Sequence, residues 1–417
     1  MYALFNFNDY LGGGETIFVR WAEFLLRNNI ECRLFYAAKG FVADAMNRLQ
    51  LPRNVLCPYD GDANYYYQTE NERKAFVDWI EGKLEGLRNV KLISFCMRDL
   101  YTLVDVSRRN SEYTITHLIL HDQDNLYVCQ TLYDKFLLKC RGVRNFSDKR
   151  QLEFNNQLVR DLVGVGGLIA EKMTTKIVMR QYGVDIDDGI IVPPPMCNFS
   201  DEVPEVHNNK RIVWVGRVVD FKLPAICSML DFVCRHKEYR FTIIGDGEID
   251  FLKKYVKDRS LDDSNVDYRG IVSYDKIPDV IKEHSIGYAC GTSIVEIGRW
   301  GLPVITALAS PDHVLFKRSI CGGIYNNKYK GNEGNNLFIG ETEDEQPTIE
   351  DTIGLIEHDF RKAASQSYQA MKEDFDLIAN IKNYHRIIDG AKRMDVLRTR
   401  IPFSPVFRRL VFRHLYK

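Results

Sequence analysis

Two cations follow the end of a predicted strand in the second half of the chain. Arg217 and Lys222 stand in the segment VWVGRVVDFKLP, residues 213–224, just after the strand-ending Gly216. Open α/β sheets bind ligands beyond the carboxyl ends of their strands. A guanidinium can clamp two phosphate oxygens, and an ammonium adds a point charge. The pattern therefore predicts either a phosphate-binding turn or a solvated loop that holds two of the chain's 56 basic residues.

A lone acid follows a second glycine corner in CGTSIVEIGRWGLPVIT, residues 290–306. Ser293 and Glu296 fit the capping-box pattern S-x-x-E, in which the serine caps a helix and the acid reaches back to the serine amide. In the other interpretation, the amides of the corner hold a phosphate and the acid binds a sugar hydroxyl. These residues alone leave both interpretations open.

Three further glycine turns follow predicted strands. The segment NDYLGGGET, residues 8–16, has three glycines between a strand and a helix. The triplet GDG, residues 245–247, ends the strand in FTIIGDGE, and Gly270 ends the strand in YRGIVSYDKIP. Glycine lets the backbone approach a ligand closely, and a helix N-terminus favours anions. Each of these patterns is also that of a plain tight turn.

The elements that must position these turns alternate between strands and helices. Residues 15–27 have helical periodicity, with their large apolar side chains on one face. Strands that alternate with helices predict parallel βαβ units. The predicted strands are residues 2–7, 32–37, 90–96, 115–120 and 190–192 in the first half, and 211–215, 240–245, 266–270, 285–289 and 303–306 in the second.

A proline-rich segment separates the two sets of strands. Residues 192–210, VPPPMCNFSDEVPEVHNNK, contain four prolines and little periodic pattern, which indicates an extended linker. A length of 417 residues also favours two domains. We therefore expect an α/β protein with two Rossmann-like domains facing a central cleft. Their predicted ranges are 1–194 and 195–385, followed by a basic C-terminal tail or helix over 386–417.

The composition excludes several classes of protein. The net charge is −1, so no overall field favours nucleic acid as a partner. The ten cysteines include no C-x-x-C pair and no cysteine–histidine cluster at zinc-ligand spacing, which favours reduced thiols in a cytoplasm. The N-terminus has no signal-peptide pattern, and no apolar run approaches the roughly 18 residues of a membrane span. We therefore expect a cytoplasmic protein.

The order of these motifs resembles that of the retaining GT-B glycosyltransferases of glycosyltransferase family 4. The family pattern reads G-G-x-E, G-R with a following lysine, G-x-G, G-x-V and E-A-x-x-x-G-x-P-V. The resemblance spans roughly residues 2–307 and is more specific in the C-terminal domain. The matching residues are Gly13, Gly14, Glu15, Gly216, Arg217, Lys222, Gly245, Gly247, Gly270, Val272, Glu296, Gly301, Pro303 and Val304.

The resemblance implies a donor site with named roles. Arg217 and Lys222 would neutralise the donor diphosphate, Glu296 would accept hydrogen bonds from the ribose hydroxyls, and the segment at Val272 would meet the base. The remaining donor-site residues form two groups. The amides of the corner would meet the phosphates, and the corner consists of Gly291, Thr292, Ser293 and Ile294. The other group is the glycines of the turns, Gly13, Gly14, Gly216, Gly245 and Gly247.

The resemblance also implies a reaction. A sugar would move from a nucleotide-sugar donor to a glycan or lipid-linked acceptor, with retention of configuration. The biological setting would be the synthesis of a cell-surface polysaccharide such as lipopolysaccharide, capsule or exopolysaccharide. The enzyme would use no cofactor and no metal, because the nucleotide sugar is a substrate and two cations already face the leaving group.

One acid of the family pattern is missing. Many members have two glutamates, eight residues apart, and the first of them contacts the donor sugar. In this chain Glu296 matches the second glutamate, and the position of the first is Tyr288. Because this glutamate is absent, a non-catalytic homologue that binds nucleotide sugars stays an alternative interpretation. The motif with Gly-Thr-Ser and without that acid, however, also resembles some active subfamilies. A nucleotide-sugar epimerase of similar two-lobed shape is a further alternative.

A histidine and two aspartates end the segment THLILHDQDN, residues 116–125. The resemblance makes His121 a catalytic candidate that contacts the donor sugar; the alternative is a surface histidine beside a turn. Asp122 and Asp124 form D-x-D, the metal motif of the unrelated GT-A transferases, so a metal-dependent GT-A enzyme is another alternative. Because the chain has 57 acidic residues, chance triplets of this form are expected, and we predict no metal site.

The end of the chain is basic and amphipathic. Residues 386–417 contain nine Lys or Arg and two Asp, and the apolar residues of SPVFRRLVFRHLYK gather on one side at helical spacing. Such a helix can lie on an anionic membrane. The other interpretation is packing across the N-terminal domain, as the last helix of many GT-B proteins does. The first interpretation predicts peripheral association with the inner face of the membrane.

Overall fold

The computed structural model describes residues 1–9, 12–49, 52, 54–65, 68–120, 146–310, 315–326, 330–331 and 342–395, with 146–150 described for the backbone only. Contacts divide the chain into two compact units. The first is Met1–Pro195 together with the described chain from Ala379 onward, and the second is Met196–Ile378. The proline-rich residues 192–210 form no helix and no strand.

The first unit is built on a six-stranded parallel sheet. The strand order is β3-β2-β1-β4-β5-β6, so the chain moves outward from β1 in one direction and then from β4 in the other. The central strand β1 is buried along its whole length, which fits a parallel sheet covered on both faces. The strands are β1 (Tyr2–Asn6), β2 (Cys32–Ala37), β3 (Leu56–Tyr59), β4 (Lys91–Ser94), β5 (Thr114–Ile119) and β6 (Leu168–Ala170).

Helices with one apolar face cover this sheet. In the first of them, Ile17, Phe18, Trp21 and Leu25 recur at helical spacing and are buried. The third begins with a capping box between Thr69 and Glu72. The helices are α1 (Gly13–Arg27), α2 (Phe41–Arg48), α3 (Glu70–Leu84), α4 (Met97–Arg109), α5 (Phe146–Gly164) and α6 (Met173–Gln181).

The second unit repeats the design with five parallel strands in the order β11-β10-β7-β8-β9. Its core lies between the sheet and the helices on its faces and contains Trp214, Phe241 and Tyr288. The strands are β7 (Arg211–Val215), β8 (Arg240–Ile244), β9 (Val266–Gly270), β10 (Ile286–Ala289) and β11 (Val304–Thr306). The helices are α7 (Leu223–Arg235), α8 (Ile249–Asp258), α9 (Ile277–Ile281), α10 (Ser293–Gly298), α11 (Ile349–His358) and α12 (Phe360–Phe375).

The two parallel sheets confirm the predicted α/β class with two Rossmann-like units. One predicted strand is wrong, because residues 188–190 form a 3₁₀ turn and Ile191 makes only an isolated bridge to Ala170. Among the described residues, eight of the ten cysteines are seen, all as free thiols. No described helix combines the length and the apolar character that crossing a membrane requires.

The last helix of the described residues, α13 (Leu377–Gly390), belongs largely to the first unit. The Tyr2 hydroxyl donates to Asp389 over 2.9 Å, and the Trp21 indole donates to His385 over 3.3 Å. These bonds join the start of the first unit to a helix nearly 400 residues later. The contact division therefore differs from the range 195–385 expected for the second domain: the chain returns to the first unit at Ala379.

Acidification should weaken the packing of α13. Burial lowers the pKa of His385, whose ring stacks on Tyr2 at 4.6 Å between centroids and is also faced by Asp389 and Lys91. The unfolded chain then binds this proton more readily than the folded one, so the contribution of His385 to stability is lost as pH falls below about 6.5. The melting temperature should therefore drop less between pH 7.5 and 5.5 in His385→Gln than in the wild type.

A control for this experiment is His207→Gln, at a histidine whose side chain is 85% exposed. It should retain the full pH dependence of the wild type. An unchanged pH dependence in His385→Gln would show that other groups govern the acid sensitivity of the fold.

Candidate functional site

The strand order of the second sheet has a switch point at β7, and we call the region between the two loops that flank this point the crevice. Strand β7 lies between β8, the next strand in the chain, and β10, which comes two strands after β8. The chain therefore continues from β7 towards β8 on one side and from β10 towards β11 on the other, so the loops after β7 and β10 leave the sheet in opposite directions. Ligands of open α/β sheets bind at such a switch point. The two loops are residues 216–222 and 290–292, and they contain Gly216, Arg217, Lys222, Gly291 and Thr292 of the residues singled out from the sequence.

Gly216, Lys222 and Ser293, the first residue of α10, meet around the α-carbon of Gly216. Gly216 has φ +143, and a Cβ placed on it would lie 3.3 Å from Ser293 Oγ and 3.6 Å from Lys222 Nζ. The structure thus brings together the hydroxyl of Ser293 and the ammonium of Lys222, two residues more than 70 positions apart in the chain. The absence of a side chain at Gly216 leaves room beside both donors, which suits an anionic oxygen.

Lys222 is held over aromatic rings. It ends a 3₁₀ turn, Asp220–Lys222, and its Nζ lies 5.8 Å from the ring centroids of both Trp214 and Phe221. The electron-rich ring faces attract the ammonium and limit where it can go. Arg217, by contrast, is exposed, and none of the described residues pairs with it.

The glycines of the GDG turn have a packing role. A Cβ on Gly245 would lie 2.0 Å from the Gly216 carbonyl oxygen, and one on Gly247 would lie 2.2 Å from that of Val218. Two backbone hydrogen bonds join the loop after β7 to the loop after β8 where the two loops cross. They run from Val218 N to Asp246 O over 2.7 Å and from Glu248 N to Val218 O over 2.8 Å. Because the loop after β8 supports the loop after β7, these glycines position the crevice; direct donor contact by Gly245 and Gly247 stays a prediction.

The corner after β10 offers backbone donors. Gly291 has φ +71, and within the described part of the chain no acceptor faces the amides of Gly291, Thr292 and Ser293. The amide of Ile294 instead donates to the Gly291 carbonyl over 3.0 Å. Helix α10 begins at Ser293 and its N-cap is Thr292, which makes no side-chain cap bond. The capping-box interpretation, in which Ser293 is the cap, is therefore wrong.

Glu296 lies one turn along α10 from Ser293, so the two side chains share a face of the helix. Its carboxylate is 17% exposed and lies 3.4 Å from the guanidinium of Arg299. Arg299 was not singled out from the sequence, although its spacing of three residues from Glu296 is a usual helical ion-pair spacing. The face of α10 therefore presents a hydroxyl and then a carboxylate.

Tyr288, which stands where the family pattern has its first acid, faces away from this crevice. It lies in β10, its ring is fully buried, and its hydroxyl donates to the Ala225 carbonyl over 2.9 Å. Burial raises the pKa of Tyr288 well above that of an exposed tyrosine. An acid at this position would be buried in the core of the second unit rather than placed beside the crevice.

The loop after β9 is at the same edge of the sheet. Gly270 has φ +65, and its carbonyl accepts from the Gly245 amide over 2.8 Å. Ile271 is 78% exposed and Val272 is partly buried. An apolar pair of this kind next to the crevice suits a flat base, which is the role predicted for the Val272 segment.

The first unit has its own switch point, between β1 and β4. Helix α1 begins at Gly13, and a Cβ on Gly14 would lie 2.9 Å from Leu120 Cδ1, so the glycine turn packs closely against the end of β5. Glu15 is only 3% exposed and accepts a hydrogen bond from Asn8 over 2.7 Å. Its role in the structure is to hold the turn that precedes it.

Two further polar residues at this switch point were missed in the sequence. Arg98 donates to Asn8 Oδ1, and Asp99 is buried and accepts from the Phe7 amide. Burial raises the pKa of Asp99 to about 7. An arginine and an aspartate in the first turn of α4, just after β4, were the available signal. His121, Asp122 and Asp124 lie outside the described residues, as does the tail from 396 onward; no group of three or more metal-ligating side chains occurs among the residues described.

Comparisons with known proteins identify the fold. No family model matches the chain, and no curated protein matches it in sequence. The structure is similar to that of HepE from Anabaena, solved with UDP and glucose, at 14% identity and a TM-score of 0.56, over 93% of this chain and 99% of that one. The lipopolysaccharide outer core galactosyltransferase WaaB matches over the same shares, at 14% identity and a TM-score of 0.55.

A third similar structure is the pneumococcal O-GlcNAc transferase GtfA, solved with UDP and GlcNAc. It matches at 9% identity and a TM-score of 0.52, over 95% of this chain and 99% of that one. At such identities these likenesses establish the fold. They confirm the predicted GT-B fold class, with its two parallel-sheet α/β units.

Proposed function

We propose that this protein is a glycosyltransferase that takes a sugar from a nucleotide-sugar donor. The observation that carries the proposal is the meeting of Lys222 Nζ and Ser293 Oγ around Gly216, at the switch point of the second sheet. Two of the structurally similar proteins were solved with UDP, which supports a nucleotide as the ligand of this fold. The two-unit parallel fold does not favour the GT-A alternative.

The proposed chemistry follows from where charge develops. When the bond between the anomeric carbon and the diphosphate breaks, negative charge gathers on the leaving diphosphate, and preorganised donors stabilise it. Lys222 and Arg217 supply two positive charges there, while the amides of Gly291 and Thr292 supply neutral donors. Glu296 is the proposed acceptor for the ribose hydroxyls, and His121 remains the candidate for contact with the sugar.

The finer parts of the proposal come from the motif order. We propose a reaction with retention of configuration, in the manner of glycosyltransferase family 4, and an acceptor that is a glycan or a lipid-linked glycan. A role in cell-surface polysaccharide synthesis is part of this proposal; WaaB, an enzyme of the lipopolysaccharide outer core, is one of the structures with a similar fold.

The experiment that tests the function is a screen in two stages. Thermal shifts against UDP-, GDP-, ADP- and dTDP-sugars identify the donor, because a ligand of the native state raises the melting temperature. Radiolabelled sugar from that donor is then followed into glycan and lipid-linked acceptors. Transfer supports the proposal. Binding without turnover would identify a non-catalytic homologue, sugar interconversion without an acceptor would identify an epimerase, and the absence of binding would refute the proposal.

Activity should survive removal of divalent metals. Lys222 and Arg217 already supply the positive charge that a metal provides at a leaving diphosphate, so EDTA should change the transfer rate by less than about twofold. The measurement is the initial rate with and without excess EDTA. Complete loss that manganese or magnesium restores would bring Asp122 and Asp124 back as metal ligands.

The basic tail should bind anionic membranes. Each Lys or Arg near an anionic surface contributes about 1 kcal/mol, and a lipid-linked acceptor would be held at that surface. The protein should therefore sediment with anionic liposomes, less so as salt rises, and removal of residues 405–417 should weaken this binding without unfolding the protein. If the truncation instead lowers the melting temperature and leaves liposome binding unchanged, the tail is a structural helix.

A further inference from the structure

Trp214 lies beneath the turn that follows β7. Its side chain is fully buried in the core of the second unit, and its indole N–H donates to the Gly216 carbonyl over 3.0 Å. The same carbonyl is packed against Gly245, where a Cβ would lie 2.0 Å from the oxygen. A buried ring and a neighbouring backbone thus fix the peptide that leaves the strand.

This hydrogen bond also determines where the next amide points. The described chain has no cis peptide bond, and in a trans peptide the N–H points opposite to the C=O. Because the Gly216 carbonyl is directed at the indole, the Arg217 amide is directed away from it. Arg217 is exposed, and no acceptor for its amide occurs among the described residues.

The face of the same indole lies near the ammonium of Lys222. The distance from Lys222 Nζ to the ring centroid is 5.8 Å, within the range of a cation–π interaction. The edge of the Trp214 ring therefore orients the peptide before Arg217, while its face restrains Lys222. One buried side chain acts on both cationic residues of the turn without reaching the crevice itself.

We propose that Trp214 is a positioning residue for diphosphate binding, and that the backbone amide of Arg217, which the indole orients, is a further donor to the phosphates. This inference rests on the proposed function and deepens it. The ligand class is a nucleoside diphosphate or its pyrophosphate group. Trp214 acts through Gly216 and Lys222 rather than by contact with the ligand.

The test compares two buried aromatic residues of one core. Trp214→Phe keeps a ring but removes the N–H donor. Tyr288→Phe is the matched control: the two rings lie 5.8 Å apart between centroids, and the Tyr288 hydroxyl makes one buried hydrogen bond, to Ala225 rather than to the turn. Calorimetry measures the affinity of each protein for inorganic pyrophosphate, UDP and uridine, and donor kinetics give KM and kcat.

Trp214→Phe should weaken pyrophosphate and UDP binding about fivefold to tenfold, as expected for the loss of one or two orienting contacts. It should raise the donor KM more than it lowers kcat, and it should leave uridine affinity unchanged. Tyr288→Phe should change none of these. Equal losses in the two variants, a matching loss of uridine affinity, or no loss in Trp214→Phe would overturn the proposal.

A measurement on the wild type covers the case in which Trp214→Phe does not fold. With ¹⁵N-arginine labelling, pyrophosphate should shift the Arg217 amide resonance and slow its hydrogen exchange; an unaffected Arg217 amide contradicts the inference. A wild type that binds pyrophosphate at Arg217 but transfers no sugar would overturn the proposed function and leave the role of Trp214 intact.

Discussion

Replacing Lys222 by alanine should lower kcat/KM for the donor about 30-fold, which corresponds to about 2 kcal/mol for the loss of a charged contact. The ammonium lies near Gly216 and Ser293, where the structure leaves room for an anion, and Trp214 and Phe221 restrain it. Arg217→Ala should have an effect of the same order. Initial rates across donor concentrations measure both.

The control for this prediction is Lys237→Ala. Lys237 precedes β8 and is paired with Asp262 over 2.9 Å, so it lies at the amino end of a parallel sheet whose carboxyl end holds the crevice. This variant removes a lysine of the same unit and should keep wild-type kinetics. Activity within about twofold of wild type in both Lys222→Ala and Arg217→Ala would remove these residues from the site.

Replacing Gly245 by alanine should destabilise the second unit by about 3 kcal/mol. The new methyl group would lie 2.0 Å from the Gly216 oxygen and 2.7 Å from its carbon, both backbone atoms that cannot rotate away. The residue also has φ +144, which alanine adopts only with strain. Overpacking and backbone strain each cost about 1–3 kcal/mol. Urea unfolding followed by tryptophan fluorescence measures the loss.

The matched control is Gly354→Ala in α11. A Cβ there would meet nothing within 4 Å, and alanine is favoured over glycine inside a helix by about 0.5–1 kcal/mol. The same substitution should therefore leave the second unit as stable or more stable. If Gly245→Ala unfolds at the wild-type urea concentration, the crossing of the two loops is not as tight as the structure describes.

Most of the second sheet could be predicted from the sequence because four of its five strands, β7, β8, β10 and β11, are largely buried. These four strands read as short apolar runs, and the segments at residues 211–215, 240–245 and 266–270 end at or just before a glycine. Two strands of the first unit were missed for physical reasons. Strand β3 contains Pro58 and lies at the sheet edge, where proline is tolerated, and β6 has only three residues.

The candidate site was predictable where it depends on residues just after a strand, as with Gly216, Arg217 and Lys222. It was not predictable where a side chain acts on a distant part of the chain. Arg98 and Asn8 are 90 residues apart, and nothing local marks them as partners. Trp214 was passed over for the opposite reason, because a large apolar residue inside a strand is ordinary core.

The return of the chain to its first unit at Ala379 affects the order of folding during synthesis. A ribosome completes the whole of Met196–Ile378 before it makes the helix that contributes His385 and Asp389 to the first unit. The first unit thus emerges early but remains without α13 until the second unit has been made. In a nascent chain, the second unit can finish folding first, although its sequence comes later.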